Sequence, residues 1–250
     1  AILKARENFA VKNPKLVNEM KEWDDLTFLN KAKITINGKI TNTAIILLGK
    51  NESDHYISPA IAKLSWILKD EANTSLDYEH FGTPFLLNID EVFKKIRNLK
   101  YRYMPNATLF PVEINQYDSY VIREALNNSI AHQDYTLCSR ISIVEKKDEL
   151  IISNSGNFIP GTIENVLESD SPPEFYRNSF LTNAMVNLNM IDTIGSGIRK
   201  MMIEQRKRFF PLPDFTVNEF NKVEVKIIGK ILDENYTNLL MENSDLDIKK

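Results

Sequence analysis

Three polar residues in "REALNNSIAHQDY", residues 123–135, have the types and spacing that water activation and magnesium binding require. Glu124 and Asn128 are four residues apart, and Asn127 is three residues after Glu124. Such positions share a face of an α-helix, so a carboxylate and an amide would project together. The carboxylate can orient or deprotonate a water molecule, and the amide oxygen is a hard ligand suited to Mg²⁺. The alternative is a solvated polar face, although asparagine is a poor helix former.

Two glycine-containing loops offer further contacts for a ligand. In "TIGSGIRKM", Gly195 and Gly197 flank Ser196 directly before a predicted helix. Glycines let the backbone approach a phosphate, and a helix N-terminus presents unpaired N–H groups. In "IISNSGNFIPG", a predicted strand ends at Asn154, whose amide could read the edge of a base, and Gly156 follows. The alternatives are a plain tight turn in the first loop and an Asx-type turn in the second.

The elements that must position these residues have an α+β order. The helix that carries Glu124 precedes two alternating runs over residues 141–153, which predict a β-hairpin with its turn at 146–148. A helix over residues 178–190, the glycine loop with its helix, and a second antiparallel pair over residues 215–230 follow. This order predicts an α+β sandwich, with helices on one face of a mixed, mostly antiparallel sheet.

The first part of the chain predicts a smaller α/β piece. Residues 14–30 place apolar side chains at helical spacing, and residues 61–70 are typical of a strand. Residues 71–83 indicate an acidic, polar connection, and residues 83–100 an amphipathic helix. We therefore predict three regions: an N-terminal α/β linker domain over 1–75, the main α+β domain over 76–233, and a polar tail over 234–250.

Composition excludes several classes of protein. The 250 residues, 43% hydrophobic and 26% charged, suit one large globular domain or two small ones. A net charge of -3 argues against a surface devoted to nucleic acid. The single Cys138 excludes an internal disulfide, so we expect a reducing, cytoplasmic location. No apolar stretch reaches the roughly 20 residues that span a bilayer, so no membrane association is expected. Because the chain begins at Ala1 rather than Met, we expect a fragment of a longer protein.

The run from Arg123 to about Met202 resembles the Bergerat-fold (GHKL-like) ATPases, a family that includes gyrase, the mismatch-repair ATPase and the histidine kinases. Three segments resemble more closely the divergent ATPase-like domain of bacterial RecG-like transcriptional regulators: "REALNNSIAHQDY", "ELIISNSGNFIPG" and "RNSFLTNAMVNLNMIDTIGSGIRKM". The earlier "GKITNTAIILLGKN" is similar to the segment before that domain. In that family an AlbA-like, Schlafen-related domain usually precedes this region, and a winged helix often follows it.

The resemblance implies that the sandwich is Bergerat-like, and it implies a role for each matching residue. Glu124 would be the water-activating, catalytic carboxylate, Asn128 the amide that binds Mg²⁺, and Asn154 the reader of the adenine amino group. The implied nucleotide-binding set is Asn128, Asn154, Gly156, Gly195, Ser196 and Gly197. Two departures weaken the match: asparagine replaces the family's aspartate at 154, and the loop "NSGNF" lacks the second glycine of the pattern.

By this resemblance, the chain would be a nucleotide-binding or degenerate ATPase-like regulatory module of a bacterial transcriptional regulator, with ATP and Mg²⁺ as cofactors. DNA would bind mainly through flanking domains outside this chain, and a homo-oligomer is expected. One alternative is an active Mg²⁺-dependent ATPase that uses Glu124. Another is a catalytically inactive assembly or dimerisation module, which the departures at Asn154 and Asn157 favour. Direct DNA binding by this chain is disfavoured by its acidic balance.

Overall fold

The computed structural model describes residues 1–104, 109–159, 161–168, 176–191, 197–218 and 221–232. It confirms an α+β fold, in which helices flank a mixed six-stranded sheet. The helices are α1 (Ile2–Lys12), α2 (Val17–Met20), α3 (Asp25–Lys31), α4 (Asn42–Leu48), α5 (Phe85–Lys95), α6 (Ser119–His132), α7 (Ile163–Glu168), α8 (Ser179–Asn187) and α9 (Gly197–Lys207). The strands are β1 (Leu64–Lys69), β2 (Ser75–Phe81), β3 (Lys100–Tyr103), β4 (Val112–Asn115), β5 (Ile141–Glu145), β6 (Glu149–Ser155), β7 (Asp214–Asn218) and β8 (Lys222–Ile228).

The large sheet draws strands from both ends of the chain. Its strand order is β2-β1-β5-β6-β8-β7. β1 and β5 run parallel, whereas the other neighbouring pairs in this sheet are antiparallel. β5 and β6 form the predicted hairpin, β7 and β8 form the predicted second pair, and β3 and β4 form a separate antiparallel pair. Because β1 pairs with β5, the sheet joins the early and later parts of the chain; the division near residue 75 stays a prediction.

The predicted polar connection over residues 71–83 is wrong, because β2 occupies Ser75–Phe81 and pairs with β1. β2 is an edge strand whose first six residues are exposed, and only its last residue, Phe81, is buried. Strands are visible in a sequence when apolar and polar residues alternate between a buried and a solvated face. β2 does alternate Leu76 and Tyr78 with Asp77 and Glu79, but neither apolar side chain is buried, and the polar, acidic composition of the segment outweighs this short alternation.

The predicted helix within residues 14–30 is interrupted after Met20. Asp24 begins a new helix, α3, by accepting a hydrogen bond from the backbone N–H of Thr27 at 2.8 Å. Arg6, on α1, donates to the carbonyl oxygen of Trp23 at 3.0 Å. A tertiary contact and a capping residue therefore break a run whose apolar spacing is helical.

α6 is the central helix of the site region. The Asp118 carboxylate accepts a hydrogen bond from the backbone N–H of Tyr120 at 2.8 Å and so caps the helix N-terminus. The apolar side of α6 is fully buried through Val121, Ile122, Leu126 and Ile130. α6 contacts β6, whose Leu150 and Ile152 are also buried. This packing fixes the rotation of α6 about its axis and so decides which way its polar residues point.

A buried carboxylate ties β5 to β1 and to the segment after α5. Glu145, at the end of β5, is 1% exposed. Its Oε2 accepts a hydrogen bond from Trp66 Nε1 at 3.0 Å, and its Oε1 accepts one from Arg97 Nε at 2.7 Å. A buried charge requires such partners, because it has lost its hydration.

Replacing Arg97 with alanine should lower the free energy of unfolding by about 2–3 kcal/mol, because the Glu145 charge loses its cationic partner. The Arg97 side chain is 37% exposed, so we expect less than the loss of a fully buried pair. Urea denaturation measures this change, with Arg102→Ala, at an exposed position on β3, as the control. Equal stability of the two variants would contradict the assignment.

Candidate functional site

A cavity lies where α6, α9 and the sheet strands β6 and β8 meet. Its volume is about 130 Å³, measured as the space that the centre of a water molecule can occupy. Polar side chains enter it from Glu124 and Asn128 on α6 and from Asn154 on β6. Apolar side chains form most of the remaining wall: Ile152, Phe158, Ile159, Met201, Phe215, Val223 and Val225.

The structure brings Glu124 and Asn128 together on the cavity side of α6. Nδ2 of Asn128 donates a hydrogen bond to Oε1 of Glu124 at 3.1 Å, and both residues are half-buried. This bond directs the amide nitrogen toward the carboxylate. The amide oxygen of Asn128 is then available to accept a hydrogen bond or to bind a cation.

Asn127 points to another side of α6 and has a structural contact there. It is 2% exposed, and its Nδ2 donates to the carbonyl oxygen of Met190 at 2.6 Å. Met190 lies just beyond α8, so this hydrogen bond fastens the end of α8 to α6. The two adjacent asparagines therefore have different surroundings: Asn128 lines the cavity, and Asn127 lies in the helix interface.

Asn154 and Gly156 lie at and just after the end of β6, in different surroundings. Asn154 is 7% exposed and lines the cavity; its Nδ2 donates to the carbonyl oxygen of Ser155 at 3.2 Å, which leaves Oδ1 as a possible acceptor for a ligand. Gly156 has a φ of +124°, a conformation that favours glycine. A Cβ on Gly156 would lie 3.1 Å from the Arg177 guanidinium, so this glycine also allows a close side-chain contact.

The second glycine loop is described only from Gly197 onward; Gly195 and Ser196 lie outside the described residues. Gly197 is the first residue of α9 and lines the cavity. A Cβ built on Gly197 would overlap the carboxylate of Glu124. The N-terminal end of α9, which carries a partial positive charge, therefore lies directly against that carboxylate.

Gln133 is a positioning residue that the sequence pattern does not reveal. It is fully buried, its Nε2 donates to the carbonyl oxygen of Ser139 at 2.9 Å, and its Oε1 accepts from the backbone N–H of Ser155 at 2.9 Å. These bonds fasten the end of β6 to the end of α6 and so hold Asn154 near Asn128. The partners of Gln133 are 6 and 22 residues away, and nothing in its residue type predicts them.

His132 closes one side of the cavity beside an ion pair. Its ring stacks on that of Tyr176 with centroids 5.9 Å apart, and both residues line the cavity. Arg177 donates to Asp134 at 3.0 Å and to the carbonyl oxygen of Asn157. Asp134 also accepts from the backbone N–H of Thr136 at 3.0 Å, so its carboxylate acts as a local cap and ion-pair partner.

Acid should destabilise the chain through His132. Burial, and secondarily the nearby Arg177 charge, lowers the pKa of His132 below its usual 6.5. As the pH falls through about 6.5, the unfolded chain takes up this proton first, so the free energy of unfolding should decrease until the pH passes the folded pKa. His132→Phe, which keeps the ring, should flatten this pH dependence, whereas His55→Phe at an exposed position should not. Identical slopes in all three proteins would contradict the assignment.

The cavity's chemistry fits an adenine ring and a Mg²⁺ ion that brings its own ligands. Apolar side chains can cover the faces of a base, and Asn154 supplies a polar edge. No group of three or more His, Cys, Asp and Glu side chains among the described residues could hold a metal. A Mg²⁺ ion at Asn128 would therefore take most of its oxygen ligands from phosphate and water. The described residues that line this cavity include no lysine or arginine that could contact a phosphate.

Two parts of this α+β chain match known families. Residues 139–227 match a family described as "Putative ATP-dependent DNA helicase recG C-terminal", and residues 1–63 match a domain family of unknown function. Asn154, Gly156 and Gly197 lie within the first match, whereas Glu124 and Asn128 precede it.

One solved structure supports the same fold. The chain is similar to the DIP2311 protein from Corynebacterium diphtheriae, with a TM-score of 0.70 and 17% sequence identity. The match covers 95% of this chain and 46% of that one, so this chain spans less than half of the length of the DIP2311 protein. No curated protein matches. Among the described residues, none of the helices has the length and apolar character needed to cross a membrane.

Proposed function

We propose that this chain is an adenine-nucleotide-binding regulatory module. The observation that carries the proposal is the convergence of Glu124, Asn128, Asn154 and Gly197 on one cavity, from three separate elements. The first and the last of these residues in the chain, Glu124 and Gly197, are 73 positions apart. Their meeting in space supports the carry-over of the family's residue roles.

The base would lie between the apolar side chains of β6, β8 and α9. Asn154 is nearly buried at the edge of this space, and its Oδ1 could accept a hydrogen bond from the adenine amino group. A neutral amide accepts a weaker hydrogen bond than a carboxylate, so adenine would be held less tightly than by an aspartate.

The phosphates would lie toward the N-terminal end of α9. That end carries Gly197 and a partial positive charge, but it lies against the Glu124 carboxylate, which repels an anion. A Mg²⁺ ion, when bound, would supply the missing positive charge at this point. Asn128 would hold it through Oδ1, and Glu124 would orient a water molecule beside it. Binding of ATP should therefore depend on Mg²⁺.

ATP should bind at least about tenfold more tightly than GTP. The adenine amino group can donate to Oδ1 of Asn154, whereas guanine has a carbonyl oxygen at that position and cannot donate there. Replacing Asn154 with leucine, which has a similar volume, should abolish most of this preference, because ATP would bind more weakly without that hydrogen bond. Titration of both nucleotides into both proteins measures it. The thermal midpoint of Asn154→Leu serves as the folding control. Equal affinity for ATP and GTP in the unmodified chain would contradict the placement of the base.

The wider role extends the same proposal. The module would belong to a bacterial transcriptional regulator, a cytoplasmic homo-oligomer whose DNA contacts lie mainly in flanking domains. The match of residues 139–227 to a family described as a DNA helicase domain supports a nucleic-acid context. The net charge of -3 supports placing the DNA contacts elsewhere.

ATP hydrolysis is a second candidate function, and the position of Glu124 favours it. Its carboxylate lines the cavity and is oriented by the Asn128 amide at 3.1 Å, as a residue that positions a water molecule requires. If hydrolysis occurs, Glu124→Gln should abolish phosphate release while ATP still binds. Phosphate release that survives this substitution would exclude Glu124 as the base.

A further inference from the structure

A second cavity lies beside α6, between α1, α5 and the segment after α8. Its volume, measured in the same way, is about 170 Å³. Unlike the first cavity, it is lined mainly by polar groups. Its polar lining consists of Lys4, Asn8, Asp90, Arg123, Asn127 and Asn189. It uses α6 positions 123, 126 and 127, whereas the first cavity uses positions 124, 125, 128, 129 and 132.

The charged side chains that line this cavity are not held in short ion pairs. Lys4, Arg123 and Asp90 form no ion pair with any residue that the structure describes. Neighbouring charges on α5 differ in this respect: Lys94 pairs with Glu91, and Lys95 pairs with Asp77 and Glu79. Two cations and one anion therefore line one concave space without a short ion pair, although Asp90 is close enough to Lys94 to help raise the pKa of that lysine.

One residue of the cavity lining, Asn127, has an unsatisfied polar atom that is itself buried. Asn127 is 2% exposed, and its Oδ1 has no hydrogen-bond partner among the described residues. Its Nδ2 is already used, since it donates to the carbonyl oxygen of Met190. A buried acceptor without a donor is uncommon, because its hydration has been lost without replacement. This oxygen exposes less than 1 Å² of surface, so it belongs to the wall beside the cavity and is not a contact for a ligand.

We propose that this cavity binds a small polar α-amino acid. The ligand carboxylate would meet the guanidinium of Arg123, whose planar fork suits a carboxylate, and the ammonium of Lys4. The ligand ammonium would meet Asp90. A dicarboxylate would bring a second negative charge toward Asp90, and a simple amine would be repelled by Lys4 and Arg123. The amides of Asn8 and Asn189 suit a polar side chain that both donates and accepts hydrogen bonds.

This site would place a second ligand on the helix that carries Glu124 and Asn128. Arg123 and Asn127 are the residues directly before those two, so each cavity borders the same two turns of α6. The proposal does not depend on nucleotide binding, because its charges and its lining belong to the other side of the helix. Its test is therefore direct binding of the amino acid to the chain without nucleotide.

The experiment is calorimetric titration of the chain with L-serine, L-glutamine and L-asparagine. Succinate, which carries only negative charge, and ethylamine, which carries only positive charge, are the comparators. We expect at least one amino acid to bind with a Kd of about 1 mM or tighter, and both comparators to bind more weakly. Arg123→Ala and Asp90→Asn should each weaken that binding at least about tenfold. Arg102→Ala, an exposed arginine on β3, should bind like the unmodified chain.

Two results would overturn the proposal. The first is the failure of all three amino acids to bind at millimolar concentration. The second is binding that Asp90→Asn strengthens, since this would identify a plain anion site in which Asp90 only repels the ligand. Arg123 and Asp90 are both exposed, so neither substitution should unfold the chain, and thermal denaturation verifies this.

Discussion

Replacing Gly197 with valine should weaken ATP binding at least about 100-fold, a loss of about 2.7 kcal/mol, while the fold persists. The new Cβ would overlap the Glu124 carboxylate, which is the end of a flexible side chain and can rotate away. Rotation would break its hydrogen bond from Asn128, and the valine methyl groups would fill the place where a phosphate would approach α9. The substitution would remove the binding site, but it would create neither a cavity nor a buried charge in the core.

The matched control is Asn42→Val, which places the same β-branched residue at the first position of α4, where the side chain is exposed. Both variants should retain circular dichroism spectra and cooperative unfolding like those of the unmodified chain. Calorimetry then compares their ATP affinities. ATP affinity of Gly197→Val equal to that of Asn42→Val would show that ligands do not approach the start of α9.

Replacing Asn128 with alanine should remove the Mg²⁺-dependent part of ATP binding. The substitution deletes the amide oxygen proposed as the metal ligand and the amide nitrogen that orients Glu124 at 3.1 Å. We expect a loss of about 10- to 100-fold in the presence of Mg²⁺ and little change without it. Titrations with and without Mg²⁺ separate the metal contribution from effects on the base.

Asn115→Ala provides the comparison for this substitution, because Asn115 is an exposed asparagine on β4. Its ATP affinity and its response to Mg²⁺ should equal those of the unmodified chain. Should Asn128→Ala bind Mg-ATP as tightly as Asn115→Ala, Asn128 would not be the metal ligand.

The sequence predicts α6 and its polar pair well, because both follow from local rules. The spacing of Glu124 and Asn128 is enough to place them on one face, and Asp118 can be recognised as a capping type before a helix. Asn127 could not be explained in this way. Its partner, the Met190 carbonyl, is 63 residues away, and only the tertiary packing of α8 on α6 brings the two together.

Elements without a distinctive local pattern could not be predicted. β2 is an exposed edge strand whose short alternation of Leu76 and Tyr78 with polar residues lies in an acidic segment, whereas β5 and β6 are rich in β-branched apolar residues. Gly156 is recognisable as a loop glycine, but its contact with Arg177 depends on a segment 21 residues later. Gln133 likewise holds the end of β6 through bonds that its residue type does not disclose.

Titration calorimetry of the unmodified chain with ATP, with and without Mg²⁺, tests the central claim most directly. If Asn128, Asn154 and Gly197 form a nucleotide site, ATP should bind saturably with Mg²⁺ and at least about tenfold more weakly without it. An absence of binding heat under both conditions, confirmed by an unchanged thermal midpoint at millimolar ATP, would contradict the claim. The cavity would then be a vestige of a nucleotide site, and the chain an assembly module without a nucleotide response.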